Sequence, residues 1–371
     1  MWFMPELLCR AGFTVDVVTC SDLMQHSRFV ERVDRVSCQP ALIQLAKSRA
    51  HDDYDWIIPT EDGLLGSIAS ADLSPQTKLK LLPVVSESDF HHLHSKIGLS
   101  RSFSRAGIQT PPFQVATSMQ EACEAAKRLG FPVLLKVDAS GGGCGIHELK
   151  SDVDVAKVPA EFWERPVLLK KKLSGTVLDL SALFLRTELI HFSYSTMDRV
   201  VSNRFGPSSL RTYRPLSRVE QPVFDELTAL GKALGADGFC NICCIDAKDG
   251  SGRWYVEADM RPNVWIDTPH YFGEELASRI SDAFHGGQRL RMPPTHAPVP
   301  ESASDLQIPY FLRLSPVELL LNRYSVWRYV PTRDLPVLQR VLYRRVRKYT
   351  ARDLVRDTLR LCNRDGSNPS F

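Results

Sequence analysis

No apolar run in this 371-residue sequence approaches the ~20 residues that a bilayer-crossing helix needs. The opening MWFMPELLCRAGF lacks a basic start, a long apolar core and a small-residue cleavage site, so it does not read as a secretory signal. Charge of one sign is missing too. The net charge is +3, which gives no reason to expect a nucleic-acid partner. The cysteines number nine, an odd count, and they sit in strand-like and helical patterns instead of framing loops. They read as reduced thiols, and a cytoplasmic location is expected. Neither a Walker A run nor a Rossmann fingerprint occurs, and no solenoid repeat or low-complexity tract is visible. What remains is ordinary globular composition, 43% hydrophobic and 24% charged, over a length that predicts two or three subdomains.

The chain is organised around Phe131–Leu149, FPVLLKVDASGGGCGIHEL. An apolar run delivers Lys136, and Gly141, Gly142, Gly143 and Gly145 follow before a second apolar segment at Ile146. Two strands joined by such a turn can hold a polyphosphate. Glycines let backbone N–H groups approach the oxygens without Cβ interference, and the lysine adds a point charge. Cys144 inside this loop reads as a small filler.

Upstream, Met4–Ala11 reads as a helix, Phe13–Cys20 as a strand, His51–Thr60 as a second buried strand and Leu64–Ala71 as a helix. Helices alternating with buried strands predict a parallel α/β layer. Such a layer usually opens on a strand, so either the first strand is absent or the recorded start lies downstream of the true one. Lys96 precedes a helix over Ile97–Ala106, and Ser118–Leu129 is an amphipathic helix closed by Gly130. Strands are expected at Pro166–Leu169 and Val177–Leu185. A polar loop follows over Asp198–Arg218, carrying Arg204, Arg211 and Arg214. Gln221–Leu234 is a helix, Phe239–Asn263 a hairpin turning at Asp249–Gly252, and Tyr271–Phe284 another helix. Prolines crowd Met292–Ser304 as in a linker. Val337–Leu361 is an arginine-rich helix whose apolar positions could lie on an anionic membrane or a partner protein.

In the hairpin, Glu257 and Asp259 alternate, so both leave one face of the strand, with Cys243 on the partner strand across the turn. Paired carboxylates followed by Arg261 suit Mg²⁺ bridging phosphates, with an arginine over a transferring phosphoryl group. The CxxC at Cys240–Cys243 has no second pair and reads as packing. His91, His92 and His94 do not form a zinc set.

In order, these parts are Lys96 before a helix and GIQTPP turn, PVLLK with its glycine hairpin, KKLSG, and YVEADMRPN. This series resembles the ATP-grasp superfamily over roughly residues 10–290. The resemblance implies a mixed α/β and α+β architecture. It would hold a pre-ATP-grasp α/β domain (1–90), a small lobe with the phosphate loop (91–168), a large lobe with the metal-site hairpin (169–290) and a linker with a basic helical extension (291–371). By position it also implies that Lys96, Lys136 and the glycines contact ATP phosphates and that Lys170, Lys171 and Leu173 line the adenine. Glu257 and Asp259 would hold Mg²⁺ (or Mn²⁺), with Arg261 close by. Arg211 is the candidate for gripping a substrate carboxylate bidentately.

Three positions depart from the family pattern. Lys170 stands where a glutamate is usual, Val177 where a ribose-binding acid is expected, with Asp179 the nearest substitute, and Cys243 where an oxygen ligand belongs (Asn241 in another register). The resemblance implies ATP-dependent joining of a small carboxylate to an amine, with a homodimer left open. The alternative is a degenerate fold that binds nucleotide without turnover.

Overall fold

The computed structural model describes residues 1–143, 145–201, 205–273, 275–286 and 304–347. Cys144, Arg204, the proline-dense stretch up to Ala303 and the basic positions from Lys348 onward lie outside the described residues.

The N-terminal part holds two short parallel strands, β1 (Asp16–Thr19) and β2 (Arg32–Arg35). The expected strand at His51–Thr60 is not one. Its apolar residues serve packing instead. The Trp56 ring stacks on Phe239 and Phe284, with centroids 5.2 and 5.0 Å away, so hydrophobicity there reflects a tertiary contact.

A four-stranded antiparallel sheet follows, built from β3 (Phe113–Ala116), β4 (Val133–Val137), β5 (Ile146–Leu149) and β6 (Val167–Lys171), in the order β3-β6-β4-β5. The helix Met119–Leu129 packs on it. Ser118 caps that helix by accepting from the Glu121 N–H at 3.2 Å, and Gly130 ends it at φ +72°. Ala122, Ala125 and Ala126 form its buried face against Val133, Leu135, Val167 and Leu169.

The larger sheet has β7 (Gly175–Leu185), β8 (Glu188–Val200), β9 (Ser208–Arg214), β10 (Gly238–Ala247), β11 (Arg253–Asp259) and β12 (Leu306–Pro309), in the order β11-β10-β7-β8-β9-β12. Much of the expected polar loop Asp198–Arg218 is therefore strand, with β9 paired to β8 and Arg211 on it. One face of this sheet is core. Leu178, Leu180, Ala182 and Phe184 meet Val223, Leu227 and Leu230 of the helix Gln221–Ala233 and Phe103 of the helix Lys96–Arg105. Burying each of these large side chains contributes about 1.5–3 kcal/mol. Alternate residues of the same strands, among them Asp179, Ser181 and Arg211, leave the opposite face.

The helix expected over Tyr271–Phe284 begins only at Leu276 and runs to His285. The C-terminal helix spans Leu335–Val346. Of its apolar positions, Val337, Leu338, Val341 and Leu342 pack beside Phe311 and Leu314, while Val346 is exposed. Among the described residues no helix is long and apolar enough to cross a bilayer.

Candidate functional site

A cavity of about 360 Å³ is lined by both antiparallel sheets. Lys136, Lys170, the glycine loop and Leu173 reach it from the smaller sheet, and Asp179, Cys243, Glu257, Asp259 and Arg211 from the larger. Lys96 joins them from the N-terminus of its helix.

Local chemistry fixes each of these groups. Ser95 caps the Lys96–Arg105 helix by accepting from the Gly98 N–H at 2.9 Å. Asp138, at the start of the glycine loop, accepts from the Ile97 N–H (2.8 Å) and from Ser95 Oγ (3.0 and 3.1 Å). The loop is thereby anchored to the first turn of the helix that carries Lys96. Lys96 Nζ donates to the carbonyls of Asp138 and Ser140. Burial, followed by neighbouring Lys136, lowers the pKa of its ammonium, while Glu257 and Asp259 hold it up. Gly143 has φ +81°, and a Cβ there would lie 2.3 Å from the Phe205 carbonyl oxygen. Only glycine allows that approach.

A β-bulge separates the carboxylates from the aromatic residue before them. Cys243 pairs with Glu257 but Cys244 with Tyr255, so Val256 is the extra residue. Strict alternation would put Tyr255, Glu257 and Asp259 on one face. The bulge sends Tyr255 into the core and leaves Glu257 and Asp259 toward the cavity. Glu226 holds the hairpin, accepting from Arg253 at 2.7 and 2.8 Å. Burial, then Glu257, pushes the Asp259 carboxyl well above its ordinary range. Arg261 bridges Asp259 (3.2 Å) to Asp62 (2.6 Å).

The segment from residue 96 to residue 165 matches the model of the carbamoyl-phosphate synthase L chain ATP binding domain. The carbamoyl phosphate synthase large chain of Streptomyces griseus is 27% identical over 199 residues, which cover 49% of this chain and 17% of that protein. The chain spans about a sixth of the length of that curated relative. The biotin carboxylase domain of the Hydrogenobacter thermophilus 2-oxoglutarate carboxylase, solved with MgADP and bicarbonate, superposes with a TM-score of 0.60 at 17% identity, covering 78% of this chain and 67% of that one. The L-amino acid ligase of Bacillus licheniformis gives 0.55 at 14% identity, covering 77% and 74%. The chain has the ATP-grasp fold.

Within that ATP-grasp frame, three of the expected roles change. Arg211 does not present a free fork. Its Nη1 and Nη2 donate to Asp179 at 2.6 and 2.9 Å in a buried bidentate pair, and its guanidinium lies 4.7 Å from the Trp265 ring centre. It cannot also grip a substrate carboxylate bidentately, and Asp179, committed to Arg211, is not available to a ribose. With its amide nitrogen toward that carboxylate, Asn241 donates to it as well (2.9 and 3.2 Å). Cys243 is a poor donor for Mg²⁺, because a hard cation prefers oxygen, and burial, followed by Glu257 and Asp179, pushes its thiol well above the usual range. Among the described residues no three His, Cys, Asp or Glu side chains form a metal-holding group. The hairpin's own donors are thus Glu257 and Asp259. Two hard oxygen ligands fit Mg²⁺, which takes one or two carboxylates and completes its shell with substrate phosphates and water.

Lys171 and Lys172 line the cavity as well, but their ammonium groups are engaged, Lys171 with the Gly130 carbonyl (2.5 Å) and Lys172 with Glu148 (2.9 Å). Lys170 is 2% exposed, and among the described residues Nζ finds only the Thr110 hydroxyl and the Val256 carbonyl, both at 3.3 Å. Burial, followed by Lys136, lowers its pKa from 10.5 to about 7. Between those two values the unfolded chain binds a proton that the folded one does not, so stability rises with pH across that window. Below it the folded state carries the full cost of the buried ammonium. Lys170→Met is expected to raise the melting temperature of the nucleotide-free protein most at pH 6 or so and progressively less toward pH 10. Thermal melts across that range check the slope.

Asp62, Asn263, Trp265 and Arg313 also line the cavity. The sequence reading assigned them no role. Asp62 begins the helix Asp62–Ser70, just ahead of the helix expected over Leu64–Ala71, and no local pattern singles it out.

Proposed function

We propose that the chain is an ATP-dependent ligase that activates a small carboxylate, such as an amino acid or peptide, as an acyl phosphate and joins it to an amine. The supporting observation is convergence. Lys96, Lys136, the glycine loop, the Lys170–Leu173 segment and the Glu257/Asp259 pair come from separate stretches of chain and line one cavity. The shared fold of a carboxylase domain solved with MgADP and of an amino acid ligase supports a nucleotide there.

In this reading Lys96, Lys136 and the loop N–H groups hold and neutralise the phosphates, while the backbone of Lys170–Leu173 faces the base. Glu257 and Asp259 would hold Mg²⁺, which when bound neutralises phosphate oxygens. Arg261, kept in place by Asp62 and Asp259, lies beside the transferring phosphoryl group. A substrate carboxylate oxygen attacks the γ-phosphorus and the bond to ADP breaks. The amine then attacks the acyl carbon and inorganic phosphate leaves. The protein supplies position and charge, and no protein nucleophile is required.

The test is ADP release from Mg-ATP with pooled amino acids and small carboxylates, run with hydroxylamine to trap the acyl phosphate. Stimulated release with hydroxamate supports the reading, and release without hydroxamate counts against it. The Cys243 thiol, standing where an oxygen ligand belongs, and the spent Arg211 favour a second reading, a nucleotide-binding protein without turnover. That reading requires MgADP to raise the melting temperature while no mixture stimulates release.

A further inference from the structure

We infer that Arg313 is the cation of this cavity that binds the carboxylate of the acyl substrate; the inference rests on the ligase reading. With Arg211 spent on Asp179, the cavity needs another group to recognise an anion. Arg313 lines it on the β9 side, brought there by the segment that follows β12. That segment is positioned by sheet structure, with Leu306–Pro309 pairing along β9 and Tyr310 N–H donating to the Ser209 carbonyl at 2.9 Å.

Among the described residues, the partners of the Arg313 guanidinium are neutral. Nη1 donates to the Ser208 carbonyl at 2.7 Å, and the Tyr310 ring centre lies 5.1 Å away. Ser208 is also where Arg211 Nε donates, at 2.7 Å to the hydroxyl, so both arginines meet at one residue. Asp179, the carboxylate whose charge Arg313 feels, is already held bidentately by Arg211, so the Arg313 charge has no carboxylate of its own among the described residues. Burial, followed by repulsion from Arg211, lowers the Arg313 pKa from its ordinary value, and a bound anion would reverse that cost. A second donor waits nearby. Trp265, 3% exposed and lining the same cavity, has an indole N–H without an acceptor. Met197 and Val264 complete the wall with apolar surface. One spare positive charge, a planar fork and an unmet N–H suit a small monocarboxylate better than a polyanion.

The experiment uses the full chain saturated with MgADP, so that the phosphate-binding groups are occupied. Acetate, glycine and bicarbonate are titrated against chloride of equal ionic strength, with melting temperature as the readout. At least one probe should stabilise the wild type saturably. Arg313→Met should weaken that affinity roughly tenfold or more, with Arg313→Lys keeping part of it. The exposed Arg340→Met is the control and should keep all of it. No saturable shift in the wild type, or an equal shift in Arg313→Met, overturns the inference. Should Arg313→Met melt far below the wild type before any addition, Arg313→Lys carries the comparison. Failure of MgADP itself to bind would defeat the ligase reading, and the same titration without nucleotide would still report on Arg313.

Discussion

Glu257→Ala is expected to lower substrate-stimulated ADP release by about a hundredfold to a thousandfold, the range seen when one preorganised electrostatic group is removed from a transition state. The same change should not destabilise the nucleotide-free protein. Burial, followed by Glu257, holds the Asp259 carboxyl well above its ordinary range, and deleting Glu257 removes that repulsion, which offsets the attraction that the Lys96 and Lys170 ammoniums lose. Activity and melting temperature should therefore move apart, with activity collapsing and the melting temperature holding or rising. A surface role for Glu257 would leave release intact. A structural role would drop both together. Release assays beside thermal melts of the apo protein separate these cases.

Asp179→Ala acts in the opposite sense, through stability. Asp179 is fully buried, and its partner Arg211 is 4% exposed. Deleting the carboxylate leaves a guanidinium in the sheet with neutral groups such as Ser208 and the Trp265 ring beside it, and breaking such a pair on one side costs about 3–5 kcal/mol. That is a large share of the roughly 5–15 kcal/mol that holds a domain folded. Removing both charges together, as in Asp179→Leu with Arg211→Met, should recover most of the loss, because the attraction of a buried pair mainly offsets the cost of desolvating it. Denaturant titration of the single and double variants reads both effects. A loss under 1 kcal/mol for the single variant would mean that water reaches the pair.

The parts legible in the sequence were those whose physics is local. Lys136 and the loop glycines were legible because a strand, a turn and a strand follow each other without interruption. The Ser118 cap and Gly130 bracket a helix with the signals that residue types carry. The Glu257/Asp259 face was legible from alternation alone, although the bulge at Val256 that keeps Tyr255 off it was not. Strand β9 was hidden because Ser208, Ser209, Arg211, Thr212 and Arg214 make it polar, so the stretch from Asp198 to Arg218 reads as a loop. His51–Thr60 misled in the other direction, its apolar content being spent on the Trp56 stack. Long-range pairings were invisible. Asp62 meets Arg261 across 199 positions, and Arg211 meets Asp179 across 32, so neither neighbour could be inferred from spacing. Arg313 enters the cavity only because β12 closes the edge of the sheet beside β9.

The central claim is that this cavity takes a magnesium nucleotide between the glycine loop and the hairpin. Calorimetric titration of MgADP into the wild type and into Lys136→Ala tests it most directly. Binding should be saturable, should weaken when magnesium is chelated, and should fall roughly ten- to a hundredfold in Lys136→Ala, as for the loss of one charge-assisted phosphate contact. Binding of equal strength in both proteins, indifferent to magnesium, would place the nucleotide elsewhere and contradict the account.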